Sequence, residues 1–293
     1  MAAETHVSPT TRPERPLAPR RWKWAIAIII AIATIWSISG LDASIERVLS
    51  APADAWDVVR RMWPPAFSKE IERGVLGKVL ESVYIAWIGT VIGAVISLPL
   101  SFLAASNVAP RIVRLPTRQL FNAIRSVPEL IVAVILLGVT GLGPWAGALA
   151  IGIHSVGTLG KLSSEAIESI DAGPIEAVGA VGGRWVSAMR WAVLPQILPV
   201  VVSYWLFRFE INVRASAVLG MIGAGGIGAE LVAQLNFRNF PEVGAVLLLT
   251  VITVVTIDLL SSAVRRRIIQ GGSATDRNRS NELVDDLTGI SLG

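Results

Sequence analysis

Apolar runs alternate with short polar stretches along nearly the whole chain, and several are long enough to cross a bilayer. The first covers residues 25–40, fronted by Trp22, Lys23 and Trp24. At about 1.5 Å per residue it reaches roughly 25 Å, a little short of the hydrocarbon core but sufficient with its aromatic flank. A second run covers residues 80–104, with Pro99 expected to kink its end. The third is less regular. Residues 130–139 are uninterrupted, but ten residues cannot span, so the helix is placed from about Leu120. That draws Arg125, Pro128 and Glu129 into the membrane or its interface. After a turn at residues 141–144 a fourth run reaches about Leu159. A fifth covers 197–219, and a sixth covers 243–264 and stops at Arg265, Arg266 and Arg267.

The polar stretches divide by charge. Arg111, Arg114 and Arg118 lie in a segment without an acid, and with the N-terminal arginines and the Arg265 cluster they mark the inner side. Residues 41–78 mix six basic with six acidic side chains around Pro64 and Pro65, which break any long helix and suit an outer loop. Six crossings from an inner start return both termini to the cytoplasm. They also place residues 161–195 there, a segment of three basic and four acidic side chains whose side follows from parity alone.

With 53% hydrophobic and 16% charged residues the class is integral membrane. The absence of cysteine removes disulfides and thiolate chemistry, and two histidines, His6 and His154, leave no basis for a metal site. The net charge of +4 sits beside apolar runs as topology signals do, so no nucleic-acid partner is implied. Residues 1–22 read as a disordered basic arm, 23–268 as the membrane domain and 269–293 as a disordered tail. A basic head before an apolar run can also open a signal peptide. Ser37, Ser39 and Ala43 make a poor cleavage site, so a retained helix is favoured.

The segment 161–195 carries the first motif. Pro174 suits the first turn of a short helix, with Glu176 near its positive end. Gly182 and Gly183 permit a sharp turn, Trp185, Met189 and Ala192 recur at helical spacing, and Pro195 marks re-entry into the membrane. Helix, glycine turn, helix could be an ordinary connector. The spacing of Glu176-Ala177-Val178, Gly182 and Leu194-Pro195 resembles the EAA loop of the membrane subunits of ABC importers. Val178 replaces its last alanine, and Ala192 stands where isoleucine is usual. The resemblance implies that Glu176, Ala177, Gly179, Gly182, Gly183, Leu194 and Pro195 form the part that docks on a separate ATP-binding subunit. Glu176 would make or support a polar contact there, and Gly182 would set the angle between the helices.

Gly223, Gly225, Gly226 and Gly228 fit a dinucleotide fingerprint formally, but no strand precedes them. A gate, a backbone break or close helix packing accounts for them better. A Walker A loop is missing: at Gly160-Lys161, Ser155 replaces the first glycine and Leu162 follows the lysine. Energy must come from another polypeptide, so no cofactor and no catalytic residue is expected in this chain. Charges inside the membrane cost about 2.5–3.5 kcal/mol on insertion scales and need partners. Tyr204, Arg208, Asn212 and Ser216 recur every fourth residue as one polar stripe. The stripe suits either an oxyanion path or a polar contact between helices. Glu210 with Arg214, and Arg125 with Glu129, are i,i+4 pairs read as structural. Asp258 is expected near Ser262 and the basic end of the last run, and His154 is read as a hydrogen-bonded packing residue.

Three further stretches, RSVPEL from Arg125, NVRASAVLGMIGAGGIG from Asn212 and NFPEV from Asn239, resemble the permease subunit of phosphonate importers of the PhnE type. With the inner loop, the likeness covers about residues 75–268. It implies an all-α polytopic protein of about six transmembrane helices with the type I, MetI-like importer fold. It also implies two ATP-binding subunits inside, a solute-binding protein outside, a homodimer in the inner membrane, and no covalent catalysis by this chain. An importer permease for phosphate or methionine remains open on these residues, as does a secondary transporter or channel.

Overall fold

A computed structural model describes the backbone of residues 20–40 and 45–289, and the side chains of 22–40 and 49–268. The expected disordered arm of residues 1–22 lies almost wholly outside these. Every described element is helical. In order they are α1 (Arg20–Ser39), α2 (Ile45–Arg61), α3 (Phe67–Glu72), α4 (Val75–Ala104), α5 (Arg111–Ser126), α6 (Glu129–Thr140), α7 (Pro144–Glu168), α8 (Gly173–Ala180) and α9 (Trp185–Ala188). A π-helical turn, Met189–Val193, leads into α10 (Leu194–Leu219). A second, Gly220–Ala224, precedes α11 (Gly226–Asn236) and α12 (Phe240–Gly289).

The chain divides into two units, one ending at Val58 and the other beginning at Val59. In the first, α1 is apolar all round and exposed along its length, as suits a helix surrounded by lipid. The charged stretch expected to be a loop is α2. Its Leu49 and Trp56 fall on one face and are exposed. That stripe is what drives a helix there, and the proline pair ends it rather than preventing it.

The second unit is built on α4 and α7, whose small residues let two backbones approach. A side chain at Gly93 would meet the Cβ of Ser155, one at Gly89 would meet Ile151, and one at Gly152 would meet Ile92. The core continues through Ile85, Ala133, Ala148, Ile151, Ala215 and Leu219, bringing α6 and α10 onto the pair. α5 packs on α7, with Phe121 seated over Gly160, and α12 packs on α10 and α11.

Among the described residues, four helical stretches are long and apolar enough to cross a membrane: Trp22–Ser39, Val75–Ala104, Trp185–Ala224 and Phe240–Ile268. α5 and α6 count together as a fifth, bent by 85°. α7, with 25 residues, is long enough for the sixth expected crossing but less apolar. Its buried glycines, alanines and serines face protein, so it needs little lipid-facing character.

One expectation is corrected. The third crossing is not one helix from Leu120. It breaks at Val127–Pro128, where both residues are extended, because the residue before a proline is pushed out of the α region. One helical stretch runs from Trp185 to Ala224 through Pro195. With no N–H to offer, Pro195 cannot complete the α ladder, and the ladder widens into the π turn just before it. The backbone is helical to Gly289, across most of the segment 269–293. Extending a formed helix costs far less than nucleating one, and the apolar part of α12 supplies the nucleus.

Candidate functional site

α8 and the Trp185 helix form the expected helix–turn–helix. Asp171 opens it, its side chain accepting from the Gly173 N–H at 3.0 Å. Gly182 lies at φ +76°, a left-handed position that favours glycine. The Gly183 N–H bonds the Val178 carbonyl at 2.8 Å and the Gly182 N–H bonds that of Gly179 at 2.9 Å, the paired bonds of a Schellman cap. A Cβ on Gly183 would strike Val178, whereas Gly179 and Gly182 face open space.

Around this turn the surface is both apolar and free. Val181 is 85% exposed, and Trp185, Val186 and Trp191 are also exposed. Glu176 and Ala177 are exposed on α8, and Glu176 has no ion-pair partner among the described residues. By contrast, the base of the loop is fastened. The Gln196 side chain accepts from the Asp171 N–H and donates to the Asp171 carbonyl. Glu168 receives Arg118 and the Ser106 N–H, and Ile167, Val193, Ile197 and Val201 bury together. Leu194 packs against this cluster while Pro195 is exposed. A cavity of about 280 Å³ lies beside the base between α5 and α7. Its Glu168 is paired with Arg118 and its Glu165 with Lys161, so no charge is left over. Burial pushes the Glu168 carboxyl up, but the Ser106 bonds and the nearby Arg118 and Arg114 outweigh it and hold the carboxyl below its ordinary value.

The polar stripe of α10 is found as a stripe, but facing protein. Arg208, Asn212 and Ser216 are buried against α4 and α7, and Tyr204 is half-buried. Ser155 gathers them: its Oγ accepts from Arg208 Nε at 3.0 Å and from Asn212 Nδ2 at 3.2 Å. Asn212 Nδ2 also reaches Thr90 Oγ1 at 2.8 Å, and Ser216 Oγ caps the Val213 carbonyl. Asn212 Oδ1 and Arg208 Nη2 have no hydrogen-bond partner among the described residues.

Both i,i+4 pairings are corrected. Arg125 and Glu129 stand on opposite sides of the α5–α6 break, and Glu129 Oε2 instead lies 3.5 Å from Arg208 Nη2. Glu210 binds Arg265 at 2.8 Å, and Arg214 binds Asp258 at 2.9 Å. Partners on α12 also tie two helices together, which a pair within one helix cannot do. Ser262 receives Arg265 rather than contacting Asp258. His154 lies near Val127, at the α5–α6 break, and its Nδ1 is buried with no hydrogen-bond partner among the described residues. Gly223, Gly225 and Gly226 are left-handed at φ +106°, +77° and +68°, so this run is a backbone break. Gly228 serves differently, by close approach: a Cβ there would overlap the Ala217 carbonyl. The Ile227 N–H donates to Ser82 and the Gly143 N–H to the Gly223 carbonyl, so the break is pinned.

Sequence reasoning missed a cluster at the corner of α3, α11 and α12. Glu70 is fully buried and bonds Arg73 at 2.8 Å, with its Oε2 unpartnered. Lys69 reaches Glu242 at 3.5 Å, and Glu230 accepts from Gln234, which accepts from Asn239. Desolvation pushes the Glu70 carboxyl up, and the carboxylates of Glu230 and Glu242 add to this against Arg73. Residues 69–73 lie far in sequence from residues 230–242, so no spacing signal could have joined the two groups.

Residues 97–271 match the family described as binding-protein-dependent transport system inner membrane component. The phosphite transport system permease protein PtxC of Stutzerimonas stutzeri is 38% identical over 243 residues, covering 83% of this chain and 87% of that one. The phosphate-import permease protein PhnE of Mycolicibacterium smegmatis is 40% identical over 213 residues, 72% of this chain and 40% of that one. Among solved structures, the inward-facing MetNI methionine ABC transporter shares the fold. Its TM-score is 0.58 at 24% identity, covering 66% of this chain and 96% of that one.

Proposed function

The chain belongs to the family of binding-protein-dependent transport system inner membrane components, and on that premise we propose that it is the membrane-spanning subunit of an ATP-driven importer for phosphonate or a related phosphorus oxyanion. The solute class draws support from relatives named for phosphite and phosphate. Coupling to a motor draws support from one observation above all: a rigidly capped glycine turn holding an exposed apolar tip on a fastened base. A free surface of that kind suits a cleft in a partner. The partners are two ATP-binding subunits inside, an external solute-binding protein, and a second copy of this chain completing a two-fold path. ATP is bound by the motor subunits, and this chain carries out no covalent chemistry and needs no cofactor.

The mechanism is a population shift. ATP closes the motor, the motor draws on Glu176, Ala177 and the Gly182 turn, and the preference of the bundle moves from inward to outward opening. The break at Gly223–Gly226 is the outer gate, and Arg208, held by Ser155 and Asn212, supplies the cation that the passing oxyanion meets. Both termini are cytoplasmic.

Gly182→Pro tests this. Proline fixes φ near −65° and cannot occupy a position at +76°. Uptake of phosphite or methylphosphonate that depends on ATP and the binding protein should vanish in cells, while the variant remains in the membrane fraction. Unimpaired uptake by the variant would remove the coupling role.

A further inference from the structure

Three ion pairs join the helices within the apolar part of the second unit, and one is unlike the others. Arg265–Glu210 closes at 2.8 Å and Arg214–Asp258 at 2.9 Å, the separations of charge-assisted hydrogen bonds. Arg208 and Glu129 stand at 3.5 Å, and Arg208 Nη2 makes no hydrogen bond among the described residues. Yet the Arg208 side chain is the most enclosed cation of the three, 8% exposed, and its position is fixed by the Nε bond to Ser155. A buried guanidinium with an unfilled donor is costly, and a carboxylate on the same site could easily have filled it.

We propose that Arg208–Glu129 is an exchange site, where a tetrahedral phosphorus oxyanion in transit takes the place of the Glu129 carboxylate on the Arg208 guanidinium. The proposal rests on the import of such an anion. Glu129 is built to leave. It is the first residue of α6, beside the 85° corner with α5, and its side chain is 26% exposed where that of Arg208 is buried. Arg208 is built to stay, anchored through Ser155 to α7 and, by way of Asn212, to Thr90 of α4. The guanidinium fork suits two oxygens of a phosphonate as well as it suits a carboxylate. With the solute gone, Glu129 returns and discharges the site, so the empty path never holds a bare buried cation. The unpartnered Asn212 Oδ1, on the same Ser155 as Arg208, adds an acceptor for a P–OH group.

The test uses the assembled complex of the permease with its ATP-binding subunits, reconstituted with the binding protein and supplied with phosphite and methylphosphonate. The wild type must take up at least one of them; if it takes up neither, the import reading fails and the exchange site with it. In the double swap Glu129→Arg with Arg208→Glu, a purely structural pair is restored. Uptake near the wild-type level would therefore overturn the exchange site while leaving the import reading intact. Exchange expects uptake to stay below about a tenth of wild type, because the cation now sits on the mobile arm. Should the swap fail to assemble, Glu129→Gln decides by equilibrium phosphite binding to the solubilised complex. Removing the competitor should tighten binding by about tenfold, and unchanged or weaker binding would overturn the proposal.

Discussion

Glu70 shows how far a single side chain can stand from its usual chemistry. It is buried in α3, desolvation and two neighbouring carboxylates push its carboxyl up, and only Arg73 opposes them. A carboxyl raised by folding binds its proton more tightly in the folded state than in the unfolded one. Its contribution is therefore fully present below the ordinary carboxylate range and is lost as pH rises through the raised value. Thermal unfolding of the purified protein should show stability falling across that window, and Glu70→Gln should flatten the fall. A slope unchanged in the variant would assign the effect to another group. At this scale the sequence was legible where a pattern is local. The four-residue repeat placed Arg208, Asn212 and Ser216 on one buried face, and the glycine pair at 182–183 announced a turn. Glu210 and Arg214 were misread because i,i+4 spacing is always visible, whereas a partner on α12 depends on how helices meet.

At the scale of elements, α10 and α12 are fastened by these two pairs, and the Arg265 guanidinium also lies 5.8 Å from the Phe207 ring. Arg265→Ala leaves Glu210 buried and uncompensated, an expected loss of about 3–5 kcal/mol. Replacing both, Glu210→Leu with Arg265→Met, should recover most of it. Denaturation of the detergent-solubilised variants measures both, and a double variant no better than the single one would show that packing, not charge, holds the two helices. Apolar length located α1, α4, α10 and α12 well, because lipid imposes a simple requirement on such helices. α7 and the α5–α6 pair were harder to read. One is covered by protein, and the other turns by 85° at a proline the sequence displays without giving the angle.

For the whole molecule, the sidedness argued from basic clusters and from counting crossings is open to direct measurement, and the absence of cysteine makes the background clean. Val181→Cys and Phe237→Cys replace residues that are 85% and 75% exposed. An impermeant maleimide should label position 237 in intact cells, and position 181 only after the membrane is opened. The reverse pattern would invert the topology and place the capped turn out of reach of any motor.

One stretch of helix runs from Trp185, beside the capped turn, to Ala224, within the glycine break. Forty residues make roughly 60 Å of shaft, with the capped turn at one end and the glycine break at the other. A shaft has a single stroke. On the proposed coupling, whatever pulls its near end would shift its far end with it, so the two sides of the barrier would be timed by rigidity rather than by signalling between them, as the two gates of a canal lock are when they share one crank.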